Sequence, residues 1–145
     1  MREDDRIGLA VTDHLSRLLS GTELRGRNIQ IIKGYEVPEN YTGEIRRFGP
    51  DLVIMIDAAI EKHSPGDIFF VDPSSIVSEN ISTHRIPLSA LVKYLEAEIA
   101  CRVSILGIQP TSMDLGTTLS PPVYRAGKRL SRFLFRSLKS SPPPP

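Results

Sequence analysis

Leu52-Val53-Ile54-Met55-Ile56-Asp57 sets five consecutive apolar residues against a carboxylate. An amphipathic helix would interrupt such a run with polar residues, and a half-solvated strand would alternate. A short unbroken run reads instead as a strand covered on both faces, as in a parallel sheet sheltered by helices. Two further runs read the same way: Ile68-Phe69-Phe70-Val71, closed by Asp72-Pro73, and Val103 to Ile108, which leads into Gly107-Ile108-Gln109-Pro110. Between them Leu88, Leu91, Val92, Leu95 and Ile99 form one stripe at helical spacing, which predicts a helix over 87–99 with Pro87 in its first turn.

Outward from this centre, Ile7, Val11, Leu15 and Leu18 predict a helix over 7–19, stopped near Gly21. Asn28-Ile29-Gln30-Ile31-Ile32 reads as a short strand closed by Gly34. Pro38 makes 37–41 a loop, since proline cannot serve a central strand. Residues 42–48 read as a short helix capped by Thr42 and leading to Pro50, and Ser64-Pro65-Gly66-Asp67 as a turn. Ser120 and Pro121-Pro122 open a last helix through about Leu138. The order of elements predicts an α/β domain of three layers, with a mostly parallel central sheet and helices on both faces. Residues 1–139 form one domain in this reading, and 140–145, ending in four prolines, a disordered tail.

The chain has 145 residues, enough for a single core that folds without staples. Its net charge of +1 conceals a division. The last acidic residue is Asp114; beyond it lie Arg125, Lys128, Arg129, Arg132, Arg136 and Lys139. The remainder carries 12 basic and 17 acidic side chains. The basic last helix reads as docked on the sheet with a solvated cationic face, and neither a nucleic-acid nor a membrane partner is expected. One cysteine, Cys101, excludes an internal disulfide and a multi-thiolate metal site, and its place before a strand marks it as a buried thiol. No apolar run approaches the ~20 residues of a membrane span. The acidic start Met-Arg-Glu-Asp-Asp-Arg does not resemble a signal peptide, so a cytoplasmic location is expected.

Three places join apolar segments to potential metal ligands: Asp4-Asp5 before the first helix, Asp57, and His84 in Ser82-Thr83-His84-Arg85-Ile86-Pro87-Leu88-Ser89. Two carboxylates and an imidazole suit a borderline metal such as zinc or nickel better than magnesium. Each also has an ordinary explanation. Acidic residues before a helix cap free N–H groups and oppose its dipole, and a loop histidine can simply be solvated. Asp57 resists dismissal, because a carboxylate after five apolar residues is costly unless paired or hydrated at a strand mouth. His14 in the first helix and His63 in a polar turn read as structural. No Gly-x-Ser-x-Gly elbow or glycine-rich phosphate loop is present. A phosphoacceptor receiver domain would need a lysine after the last strand, where this chain has Gln109-Pro110.

The ordered set Arg2-Glu3-Asp4-Asp5-Arg6-Ile7-Gly8, Gly34-Tyr35-Glu36-Val37-Pro38-Glu39-Asn40, Ile56-Asp57-Ala58-Ala59, Ser82 to Ser89 and Gly107 to Pro110 resembles the maturation endopeptidases of nickel–iron hydrogenases. The Pro-Glu-Asn, Ser-Thr-His and Gly-Ile-Gln-Pro elements look most like the branch that processes hydrogenase 3 of formate hydrogenlyase. The resemblance runs from about Arg2 to Val123. It implies a phosphorylase/hydrolase-like domain and an endopeptidase that removes a C-terminal extension from the hydrogenase large-subunit precursor. It also implies that Asp5, Asp57 and His84 are metal ligands and catalytic residues, Asp5 rather than Asp4 because it lies three residues before Gly8. The metal implied is nickel already held by the precursor. In the family an apolar strand and a Gly-x-Gly-Asn turn precede the acidic loop, and this sequence opens at that loop. A non-cleaving, nickel-dependent chaperone of the precursor would share the same triplet.

Overall fold

The computed structural model describes residues 6–24, 26–33, 38–73, 88–111 and 119–140. Helix α1, Ile7–Leu19, buries Ile7, Val11 and Leu15, the predicted face. Its exit is Ser20, followed by Gly21 at φ 73°. A 3-10 turn, Pro38–Tyr41, leads into α2, Thr42–Phe48. Strand β1 is Leu52–Ala58, and β2 is Ile68–Val71. Helix α3, Leu88–Tyr94, widens into a π turn over Leu95–Ile99. Strand β3, Arg102–Ile108, and helix α4, Pro121–Ser140, complete the order.

The sheet runs β1-β3-β2. β1 and β3 are parallel, with Leu52 opposite Arg102 and Ala58 opposite Ile108. β2 is antiparallel to β3, with Ile68 opposite Ile108. The sheet is therefore mixed rather than mostly parallel. The cause lies in the connection 59–67, which contains no helix. Returning a strand in parallel takes a crossover of about a dozen residues or more, so β2 comes back in the opposite sense on the far side of β3.

Side chains alternate along the strands and build two cores. Val53, Met55, Ala59, Val71 and Ile105 pack with Leu88, Leu91, Val92 and Leu95 of α3 and its π turn. Ile56, Ala58, Leu106 and Ile108 pack with Ile7 and Val11 of α1 and with Val123, Ala126 and Leu130 of α4. Helices thus cover both faces, as expected. The predicted stripe Leu88, Leu91, Val92, Leu95 is fully interior, and each such side chain contributes about 1.5–3 kcal/mol through burial. α1 and α4 meet closely at Gly127, where an added Cβ would lie 2.7 Å from Ile7 Cδ1. Cys101 is buried, its thiol donating to the Leu95 carbonyl at 3.6 Å, and burial pushes its pKa up.

Four local expectations are revised. Asn28–Ile32 is not a strand. A strand exists only by pairing, and this segment is held by side chains instead: Gln30 donates to Glu44 at 2.6 Å, and Lys33 pairs with Asp13. Thr42 is not a cap, because the chain enters α2 already coiled, with Tyr41 at φ −100°, ψ 6° rather than in the extended geometry of an N-cap. β1 is not covered on both faces along its length. The α1–α4 layer reaches Ile56 and Ala58, leaving Leu52 and Ile54 43% and 42% exposed. Finally, β1 extends two residues past Ile56, so Asp57 lies inside the strand. The 140–145 tail is outside the described residues except Ser140, which still belongs to α4.

Candidate functional site

Asp57 is the penultimate residue of β1 and pairs in register with Gly107. Its side chain falls, by alternation, on the α3 face with Met55 and Ala59, and the residue is half-buried. The hydrogen bonds at the ends of the ladder, Arg102 N–H to Asp51 O and Ala59 N–H to Ile108 O, show which backbone groups of β1 serve β3. They are those of odd-numbered residues, so the even-numbered ones point away. The Ala58 N–H is one of these, and Asp57 Oδ1 accepts it at 2.8 Å. The carboxylate is thereby held at the carboxyl end of β1, where ligands gather in open α/β sheets.

Two close approaches shape this corner. Gly8, in the first turn of α1, sits on β1: an added Cβ would stand 2.4 Å from the Ile56 carbonyl oxygen and 4.0 Å from Asp57 Cα. The start of α1 is therefore pinned to the Asp57 end of the strand. Gly107 lies between Asp57 and Phe69 in one row across the sheet. A Cβ there would come within 2.7 Å of the Ala59 methyl and 3.0 Å of Phe69 and Val71 side-chain atoms. Any larger residue would push the row apart.

The Gly107-Ile108-Gln109-Pro110 element works as a clamp. Gln109 is buried. Its Oε1 accepts the Glu61 N–H at 2.9 Å, its carbonyl accepts Gly66 N–H at 2.8 Å, and its own N–H donates to Asp67 O at 2.9 Å. These bonds fold the 59–67 loop back over the end of β3. Gly66 is required at φ 88°, and a Cβ there would meet the Pro122 carbonyl oxygen at 2.6 Å. One loop thus joins β1, β3 and the start of α4. Sequence reading had singled out the motif but not this role, which is carried by backbone groups that no residue pattern displays.

Of the predicted triplet, Asp57 is described; Asp5 and His84 lie outside the described residues, as do Asp4, Ser82 and Thr83. Among the described residues no group of three or more His, Cys, Asp or Glu side chains is placed to hold a metal ion. His63 stacks on Phe69 with ring centroids 4.2 Å apart, and its nitrogens lie 3.5 Å from Glu61 and 3.9 Å from Asp67. His14 sits in α1 with its Nε2 buried and without a hydrogen-bond partner among the described residues. Burial, then the charges of Lys128, Arg132 and Arg17, depresses its pKa. No helix among the described residues is long and apolar enough to cross a membrane.

The family model described as HycI, hydrogenase maturation protease, matches residues 10–136. The hydrogenase 3 maturation protease of Escherichia coli K12 is 32% identical over 100 residues, which make up 68% of this chain and 64% of that protein. The crystal structure of a [NiFe] hydrogenase maturation protease HycI from Thermococcus kodakarensis superposes with a TM-score of 0.82 at 29% identity, over 96% of this chain and 86% of that one. The solution structure of the endopeptidase HycI from Escherichia coli gives 0.77 at 26% identity, over 94% and 84%.

Proposed function

Because the chain belongs to the hydrogenase maturation protease family, we propose that it is an endopeptidase acting on the nickel-loaded large-subunit precursor of a nickel–iron hydrogenase and removing its C-terminal extension. Asp5, Asp57 and His84 are the residues assigned to the site. Nickel enters as part of the substrate, held by the precursor. A carboxylate–imidazole set suits such a borderline ion, and three side-chain ligands leave positions for groups of the precursor or for water.

The observation that carries this reading is the fixed placement of Asp57. Its carboxylate sits at the carboxyl end of β1, and the α1 turn carrying Gly8 packs on the same end. Asp5 precedes Gly8 by three residues in the sequence, a span of at most about 11 Å at full extension. His84 precedes Leu88, the first residue of α3, by four. The π turn that ends α3 joins β3 through Ala100 and Cys101 alone, so the helix runs back along the strand and begins toward the sheet's carboxyl edge. The reaction adds water across one peptide bond: the hydroxyl goes to the carbonyl carbon and the proton to the departing amine. Asp57 supplies negative charge toward a divalent cation. The imidazole of His84 supplies a neutral nitrogen ligand.

The test is incubation of the full chain with nickel-loaded and nickel-free precursor, read by mass spectrometry as loss of the extension. Cleavage of the loaded form alone is expected, abolished by Asp57→Asn and by His84→Ala with the fold retained. Equal cutting of both precursors would refute nickel recognition. Binding of loaded precursor without cutting would replace the protease by a chaperone.

A further inference from the structure

All six basic residues of α4 share one side of the helix. At 100° per residue, Arg125, Lys128, Arg129, Arg132, Arg136 and Lys139 fall within roughly 100° of arc. Val123, Ala126, Gly127, Leu130 and Ser131 are buried on the other side. The helix contains no acidic residue. Arg125, Lys128, Arg132 and Arg136 form no ion pair among the described residues. From Arg125 to Lys139 the row is about 21 Å long. Its first half, with Tyr124, lines a shallow concavity of about 460 Å³.

We propose that this row is a docking track for an acidic segment of the polypeptide substrate, separate from the residues that perform cleavage; it deepens, and rests on, the endopeptidase reading. Three observations choose this occupant. The track begins at the sheet edge on which the candidate site lies, though on the opposite face from the Asp57 side chain: Arg129 donates to the Gly66 carbonyl at 3.5 Å, in the loop that follows β1 and that Gln109 clamps to the end of β3. A ligand reaching the site's edge is therefore positioned to continue along α4. A membrane surface is disfavoured because Val123, Ala126 and Leu130 of α4 already pack on α1 and β3, which leaves Phe133 and Tyr124 as the large apolar side chains the helix exposes, too few for an interfacial apolar face. Single-stranded nucleic acid binds by stacking bases on free aromatic faces. Here Lys128 lies over the Tyr124 ring at 5.5 Å, and Lys139 over Phe135 at 5.1 Å. That leaves Phe133 as the exposed ring on α4 with no cation over it among the described residues, a single platform where a strand needs several; the arginine forks pair bidentately with carboxylates as well as with phosphates.

The test uses the full chain and the triple variant Arg125→Gln, Arg132→Gln, Arg136→Gln, whose altered side chains are all exposed. With nickel-loaded precursor at low salt, the variant should raise KM roughly tenfold or more while kcat stays within about twofold, and high salt should narrow the difference. In fluorescence anisotropy, a glutamate-rich peptide should bind the parent and lose affinity for the variant. Its glutamine counterpart and an oligodeoxythymidine of equal charge should bind more weakly. A fall in kcat with unchanged KM overturns the proposal, as does equal binding of the glutamate peptide by both proteins. Tighter binding of oligodeoxythymidine overturns it in favour of a nucleic-acid surface. If the parent binds the glutamate peptide through these arginines yet cuts no precursor, the track stands and the endopeptidase reading fails.

Discussion

Replacing Gly8 by Ala sets two known effects against each other. In a helix, Ala is favoured over Gly by up to ~1 kcal/mol. Against this, the new methyl would stand 2.4 Å from the Ile56 carbonyl oxygen. An ordinary carbon–oxygen contact is about 3.3 Å, so roughly 0.9 Å must be recovered. The obstructing atom is strand backbone and cannot swing aside, so α1 itself must lift. Ile7 and Val11, both fully buried, would lift with it, and overpacking of this kind costs ~1–3 kcal/mol. Overpacking at the middle of its range, ~2 kcal/mol, against ~1 kcal/mol of propensity leaves a net loss of about 1 kcal/mol. Urea unfolding would show this as a midpoint lowered by roughly 0.5–1 M with an unchanged slope. Gly43→Ala is the control. It lies in α2 with nothing nearer its Cβ than Arg47 Nη1 at 3.5 Å, so the same substitution should stabilise by ~0.4–1 kcal/mol. A Gly8→Ala protein as stable as its parent would refute the close packing of α1 on β1. It would also release the start of α1 from the Asp57 end of β1.

Leu91→Ala should cost ~2–5 kcal/mol in the same assay, because Leu91 is buried between α3 and the sheet and its removal leaves a cavity. His14 should make the protein acid-sensitive. Its folded pKa lies below the ordinary value of 6.5, so in that window the unfolded chain binds more protons. Stability is then full above pH 6.5 and declines as pH falls from there through the folded pKa. Thermal melts between pH 7.5 and 5.5 should show this decline, and His14→Gln should flatten it; an unchanged slope would remove His14 as the cause.

What could be read in advance was what repeats. Ile7, Val11 and Leu15, and Leu88, Leu91, Val92 and Leu95, announce their helices because the same apolar contact recurs at helical spacing. The run from Leu52 to Ile56 announces a strand for the same reason. Pairing is different, since it is a property of two segments. Ile29, Ile31 and Ile32 have strand-like composition but no ladder, and nothing within them could reveal that. The direction of β2 was legible in principle, from the absence of any helix between Ala59 and Asp67. Asp57 stood out because its charge follows apolar neighbours. Gly8 and Gly107 stand in the motifs, but their packing roles do not show there, because a glycine required by a neighbouring backbone looks like any other until the neighbour is in place. Asp4-Asp5 and His84 stand out as potential ligands beside apolar segments, the resemblance selects Asp5 and supplies the roles, and these positions fall outside the described residues.

The one-sided charge of α4 also bears on how that helix holds its shape. Arg125 and Arg129, Lys128 and Arg132, and Arg132 and Arg136 each stand four residues apart, the spacing at which like charges oppose helix formation by ~0.2–0.5 kcal/mol per pair. No acidic residue within the helix relieves them. Left to itself, α4 would work against its own coiling. What keeps it wound is the buried side, through Val123, Ala126 and Leu130 against α1 and through Ser131, whose hydroxyl lies 2.7 Å from the Gly127 carbonyl and 3.4 Å from that of Val11. The helix is therefore a tertiary element more than a local one. Counter-ions or carboxylates that settle on its outer face would relax a tension that its inner face now restrains.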